Sequence, residues 1–207
     1  MTARPAKVYD RSYYEKWYHD PSRRVITHAA VARKVRLVTG IAEALLERPI
    51  RSVLDVGCGE GAWRAHLRAL RPRLRYTGVE SSAYAVERFG TSRNIMRGSF
   101  GSLGELAKDG LEGTFDLIVV CDVLHYVPDD QLAAGFAAVA SLLGGVAYLE
   151  AYTIEDSIEG DRHTWHHRTA DQYRRLFRRT RLLPMGMHCY VGESLSHGTV
   201  ALERGAL

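Results

Sequence analysis

At 207 residues, 46% hydrophobic and 25% charged, the chain is sized and composed for one globular domain with a substantial core. Its formal charge of +4 is mild and its arginines are spread through every segment, which argues against a nucleic-acid protein. No apolar run approaches the ~20 residues of a membrane span, no apolar leader follows Met1, and three cysteines without short paired spacing speak against a disulfide frame or zinc knuckle. A cytoplasmic, metal-free protein is the expectation.

The first pattern is Tyr9-Asp10-Arg11-Ser12-Tyr13-Tyr14-Glu15-Lys16-Trp17-Tyr18, dense in aromatics. Tyr13 with Trp17 and Tyr14 with Tyr18 fall four apart, so each pair shares a face of a predicted helix within residues 1–30. Val31, Val35, Val38, Ile41 and Leu45 repeat every three or four positions and predict an amphipathic helix closed by Pro49. Ser52 to Val56 is a short apolar run ending in glycines, read as a buried strand, and a helix from Ala62 to about Leu70 follows. Strand-like runs recur at Tyr76 to Val79, Asn94 to Arg97 and Phe115 to Cys121, with helical patterns at Ser82 to Phe89 and Leu103 to Lys108 between them. Pro128 opens a helix predicted to end at Gly144-Gly145, and Val146 to Tyr152 is the fifth strand. Arg174, Arg175, Arg178, Arg179 and Arg181 read as the solvated face of one more helix. Met185 to Val191 and Thr199 to Glu203 are expected to pair as an antiparallel hairpin around a turn at Gly192 to Gly198. Alternating strands and helices imply crossover units, hence an α/β fold: a doubly wound, seven-stranded, mostly parallel sheet with helices on both faces.

The loop Asp55-Val56-Gly57-Cys58-Gly59-Glu60-Gly61 joins strand to helix. Its glycines let backbone approach a ligand, and the following helix offers unpaired N–H groups to an anion, which suits a pyrophosphate or a carboxylate. Gly57-x-Gly59-x-x-Ala62 satisfies the dinucleotide fingerprint, so a nicotinamide-dependent oxidoreductase is the rival reading. Against it stand the carboxylate of Asp55, which repels a pyrophosphate and attracts an ammonium or a sulfonium, the lack of a Tyr-x-x-x-Lys dyad and of a substrate domain, and the extra strand pair at the end of the chain.

The loop resembles motif I of the class I S-adenosylmethionine-dependent methyltransferases, and the likeness continues in order from about residue 50 to 152. Glu80, 19 residues past Gly61, stands where that family places an acid on the ribose hydroxyls, with Ser81 beside it. Gly98-Ser99-Phe100 is similar to its adenine-contacting loop, although Ser99 replaces the aspartate often found there. Phe115 through Tyr126 resembles its fourth-strand motif and Leu142 to Val146 the approach to its fifth strand. The resemblance implies S-adenosyl-L-methionine as cofactor, held by Asp55, Gly57, Cys58, Gly59, Glu80, Ser81, Ser99, Phe100, Cys121, Asp122 and Val123. It also implies a lid before the core and an acceptor pocket after the fifth strand, here Tyr152 to His167.

Marks of several acceptor classes are missing. The Asn/Asp-Pro-Pro-aromatic motif of exocyclic-amine DNA methylation is replaced by Cys121-Asp122-Val123-Leu124, and Cys121 lacks the preceding proline of a cytosine-C5 nucleophile. A small-molecule acceptor is left by elimination, with a protein or RNA acceptor as the alternative. His125, just past the fourth strand at the carboxyl edge of the sheet, is the catalytic candidate, because imidazole exchanges a proton near neutral pH. The expected pocket wall is Tyr14, Tyr18, His125, Tyr152, Trp165 and His166; His163, His166 and His167 are read as surface or substrate contacts, not metal ligands.

Overall fold

The computed structural model describes residues 7–24, 27–111, 113–157, 161 and 163–199. Seven strands form one sheet: β1 (Ser52–Val56), β2 (Arg75–Glu80), β3 (Ile95–Arg97), β4 (Phe115–Cys121), β5 (Leu143–Glu150), β6 (Leu183–Gly186) and β7 (Cys189–Val191). Their order is β3-β2-β1-β4-β5-β7-β6, with the first five parallel and β7 antiparallel to both β5 and β6. Among the described residues seven α-helices accompany them: α1 (Arg11–Tyr14), α2 (His28–Leu46), α3 (Ala62–Leu70), α4 (Ala83–Arg93), α5 (Leu103–Asp109), α6 (Asp129–Leu142) and α7 (Ala170–Arg179). No described helix is long and apolar enough to cross a membrane.

The central strands are apolar throughout because each is buried on both faces, and alternate residues feed two cores. Leu54 and Val56 of β1, with Ile118 and Val120 of β4, pack into one core beside Phe100, Leu132, Phe136 and Phe177. Val53, Leu117 and Val119 face the other, beneath Val31, Val35 and Val38 of α2 and Trp63 and Leu67 of α3. The three-and-four spacing read in α2 is thus the stripe that seals one side of the sheet. Asn94 ends α4 in the left-handed conformation (φ 55°), and Thr169 opens α7 with a reciprocal cap to Gln172, leaving Arg174, Arg175, Arg178 and Arg179 on the exposed flank of Tyr173 and Phe177.

Three boundaries differ from the sequence expectation. The π-turn Glu15–His19 follows α1 directly and widens the helix, so that Tyr13 packs edge-on against Tyr9 and Tyr14, while Tyr14 and Tyr18 keep the expected pairing at 4.9 Å between rings. Gly144 and Gly145 lie inside β5 instead of closing α6, because the backbone of β4 crosses there: a Cβ on Gly145 would stand 2.1 Å from the Asp116 carbonyl oxygen. The antiparallel hairpin turns at Met187 and His188, both at positive φ, and Glu193–Gly198 is a 3-10 helix; of the strand expected at Thr199 to Glu203, residues 200–203 lie outside the described residues.

Gly145→Ala should therefore destabilise the protein by about 2 kcal/mol or more, since a backbone oxygen cannot rotate away as a side chain would. A urea midpoint within experimental error of the parent would disprove that contact.

Candidate functional site

Strand order reverses at β1, whose neighbours β2 and β4 leave in opposite directions, and the loops at the carboxyl ends of β1 and β4 open a crevice there. The loop after β1 turns through Gly57, Gly59 and Gly61, all at positive φ. A Cβ on Gly57 would stand 2.3 Å from the Val123 side chain, so the two loops meet at a distance only glycine permits. Gly57 and Cys58 donate their N–H groups to the Val79 carbonyl (2.7 and 3.2 Å), and Gly59 donates to Glu80 Oε2 (2.8 Å). Glu80 also accepts from the Ser82 N–H (2.8 Å) and the Ser81 hydroxyl (3.2 Å). The loop is tied to the end of β2 by a carboxylate and a carbonyl.

A cavity of about 530 Å³ starts at Asp55, Gly57 and Cys58 and runs along the ends of β4 and β5 past Cys121, Asp122, His125 and Glu150. Asp55 is buried and accepts the Tyr76 hydroxyl (2.7 Å). Burial pushes its carboxyl up to about 7; the Tyr76 hydroxyl opposes the rise and the neighbouring Glu80 charge adds to it. A cation placed here would pull the carboxyl back down.

The N-terminal segment roofs the loop. Tyr14, 2% exposed, lies between Tyr18 and Tyr84, and both Tyr14 and Tyr18 come within van der Waals range of a Cβ built on Gly59. The Ser82 hydroxyl donates to the Tyr9 carbonyl and holds the segment over the end of β2. Lys7 fastens its start: the ammonium pairs with Asp161 Oδ2 at 2.8 Å and sits 3.7 Å from the centre of the Tyr126 ring, whose hydroxyl donates to the Asp161 carbonyl. A second roof follows β5, where Tyr152, Ser157, Asp161 and Trp165 line the cavity.

His125 sits in the short helical turn after β4, 1% exposed, with ring centres of Tyr126, Trp165 and Tyr152 at 4.2, 4.6 and 5.8 Å. Its Nε2 is 3.3 Å from Asp122 Oδ1, and Asp122 holds the left-handed conformation (φ 61°), an uncommon backbone for a residue other than glycine. Arg168 fixes this turn from behind by donating to the Leu124 and Val127 carbonyls (3.2 and 2.6 Å) and to Asp129 (2.7 Å).

The structure gathers Asp55, Gly57, Cys58, Cys121, Asp122, His125, Tyr18, Tyr152 and Trp165 around the cavity. The others stand behind it. Gly59, which donates to the buried Glu80, lies under the Tyr14 roof; Ser81 is exposed beside Glu80; Ser99 bonds with Ser102; Val123 packs on Gly57. Phe100, 2% exposed, points into the core edge-on to Phe136 and offers no free face to a base. Tyr14 is wedged under Tyr18, and His166 contributes its backbone N–H to the His125 carbonyl (2.8 Å) instead of a cavity wall.

Sequence reading missed Lys34 and Glu150. The Lys34 ammonium is 2.6 Å from Glu150 Oε2, the buried Glu150 also accepts from the Tyr148 and Tyr152 hydroxyls, and the Cys121 thiol lies 3.5 Å away. Burial alone would raise Glu150, but Lys34 and Tyr148 outweigh it and hold the carboxyl below the usual range. Lys34, a charge three residues after Val31 and four before Val38 and so on their helix face, and Glu150, ending the apolar run of β5, were the available signals. Among the described residues no group of three or more His, Cys, Asp or Glu side chains converges as a metal requires.

The family model described as a methyltransferase domain matches residues 27–191. Over 84 residues the chain is 33% identical to the trans-aconitate 2-methyltransferase of Deinococcus radiodurans, a stretch covering 40% of this chain and 31% of that protein. The fold is similar to the crystal structure of the plantazolicin methyltransferase BamL, solved with a triazolic desmethylPZN analog and SAH (TM-score 0.60, 15% identity, 81% of this chain and 71% of that one). It is also similar to a SAM-dependent methyltransferase from Archaeoglobus fulgidus (TM-score 0.56, 13% identity, 83% and 73%). With the fold, the glycine loop and the family match in agreement, the nicotinamide reading falls away: the chain belongs to the methyltransferase-domain family.

Proposed function

We propose that this protein transfers a methyl group from S-adenosyl-L-methionine to an O, N or S atom of a small-molecule acceptor, leaving S-adenosylhomocysteine. The observation that carries the reading is the single cavity that begins at Asp55 and the glycine loop and continues past His125 to Trp165. One end suits a cation and the other a second reactant. The residues fit the cofactor: a loop backbone that no Cβ could occupy at Gly57, and a buried carboxylate at Asp55 whose charge lacks a cation of its own. When bound, the cofactor supplies an electrophilic methyl on a sulfonium that departs as a neutral thioether.

The chain's own residues do the rest by holding and aligning. Asp55 receives the ammonium of the amino-acid end, Gly57, Cys58 and Gly59 let it approach, and Cys121, Asp122 and Val123 form the floor beneath it. Glu80, with Ser81, takes the ribose hydroxyls and Ser99 the base side. Because Tyr14 lies over Gly59, whose N–H bonds to Glu80, the segment at residues 7–24 acts as a lid that lifts for the nucleoside and closes on it. Alignment of two reactants by such a site is worth on the order of 7–11 kcal/mol in the best cases. His125 serves as the base when the acceptor must lose a proton, with Tyr18, Tyr152 and Trp165 as pocket wall. The two roofs favour a small acceptor over a protein or RNA segment, and the protein is proposed to act in the cytoplasm as one domain over residues 1–207.

Asp55→Asn and Glu80→Gln should each weaken S-adenosylhomocysteine binding by at least about tenfold in calorimetry, the effect of losing a charge-assisted hydrogen bond; parent-like affinity in both variants would misplace the site. The Asp55 carboxyl also has a pH signature. The folded protein keeps this proton up to about pH 7, whereas an unfolded chain releases it near 3.8, so stability falls as pH rises between those values and the deficit persists above them. At pH 8 Asp55→Asn should stabilise the ligand-free protein, by up to about 4 kcal/mol at some 1.4 kcal/mol per pH unit. Parent affinity for S-adenosylhomocysteine should climb from pH 6 to pH 8, and a flat profile equal to that of Asp55→Asn would refute the role.

A further inference from the structure

We infer that the acceptor atom is a hydroxyl oxygen on an unsaturated framework, a phenol or an enol, held between His125 Nδ1 and Trp165 Nε1. The inference rests on the methyl-transfer reading and narrows it. Among the described residues, several buried side-chain atoms have no hydrogen-bond partner, and only those of His125 and Trp165 belong to residues lining the cavity. Their rings touch, with centres 4.6 Å apart, and are 1% and 7% exposed. The neighbouring hydroxyls are already committed, Tyr126 to the Asp161 carbonyl and Tyr152 to Glu150 (3.3 Å). A buried polar group without a partner costs about 1–3 kcal/mol, so these two are set to meet a ligand.

Their characters are complementary. Neither ring nitrogen of His125 makes a hydrogen bond, but the Asp122 carboxylate lies 3.3 Å from Nε2 and draws the ring proton to that side, which leaves the Nδ1 lone pair as an acceptor. The indole Nε1–H can only donate. The ligand group between them must donate one hydrogen bond, accept one, and still keep a lone pair for the methyl carbon. A hydroxyl has two lone pairs and does all three. A primary amine has one, and giving it to Trp165 leaves nothing to attack with; a thiol is a weak partner on both counts. In the step itself the O–H bond breaks and the proton stays on Nδ1. The oxygen forms its bond to the methyl carbon as the carbon–sulfur bond returns its electrons to sulfur, and the imidazolium left behind faces Asp122. An alkanol is too weak an acid for an imidazole, whereas a phenol, with a pKa near 10 like tyrosine, is within reach. The surrounding rings of Tyr126, Tyr152 and Trp165 suit a flat partner.

The test uses the full chain saturated with S-adenosylhomocysteine and three probes of one shape: 4-ethylphenol, 4-ethylanisole and 4-ethylaniline, titrated by ligand-observed NMR. The phenol should bind at least about tenfold tighter than its methyl ether and than the aniline, the scale of one satisfied buried pair. Trp165→Phe and His125→Phe keep an aromatic ring and remove the polar nitrogen, so each should shrink that preference to about threefold or less while S-adenosylhomocysteine affinity stays near the parent value. Equal binding of the three probes, no binding of the phenol, or an unchanged preference in both variants overturns the inference and leaves the methyl-transfer reading intact. Loss of S-adenosylhomocysteine binding in the parent would instead overturn that reading itself.

Discussion

A carboxylate buried without a cation at the end of a central strand is the constraint around which this molecule is arranged. Asp55 sits on β1, opposite Gly78 of β2, two residues before a second buried acid, Glu80, at the end of β2. The Glu80 charge adds to the burial that holds the proton on Asp55. The fold tolerates them because Tyr76 donates to one, and the loop and cap N–H groups of Gly59 and Ser82 donate to the other. A cationic ligand, as the proposed function requires, would offset the repulsion between the two acids. Stability and binding are therefore opposed at one residue, as at many functional sites.

The rest of the site follows from how closely two loops approach. Gly57 and Val123 touch with no room for a Cβ, which brings the turn bearing Asp122 and His125 against the glycine loop. Asp122 accepts a left-handed backbone to make that turn, and Arg168 pins its carbonyls from the far side. Two segments distant in sequence then close the top, joined through Lys7, Asp161 and Tyr126. Lys7 is half of a buried pair in which desolvation works against the charge and Asp161 supports it, so the joint is strong only while both roofs are seated. Under the proposed function, this joint would couple closure of the residue 7–24 segment to the shape of the pocket formed after β5.

The order of strands and helices, the glycine loop with its acid, and the acid after β2 were legible in the sequence, because each depends on local periodicity or on a short motif whose backbone geometry only glycine allows. So was the position of His125 at the carboxyl edge of β4. What the sequence could not decide was which side chains meet across the fold. Phe100 follows β3 where a base contact was expected, yet turns into the core against Phe136 because α6 passes over it with Gly135 at the contact. Lys34 lies 116 residues from its partner Glu150, and nothing local to either residue records the pairing. The empty valences of His125 and Trp165, forty positions apart, became visible only once the loop after β5 folded back over β4. Chain-local geometry writes elements and turns into neighbouring residues, whereas the charge and hydrogen-bond complement of a pocket is a sum over segments that only tertiary packing brings together.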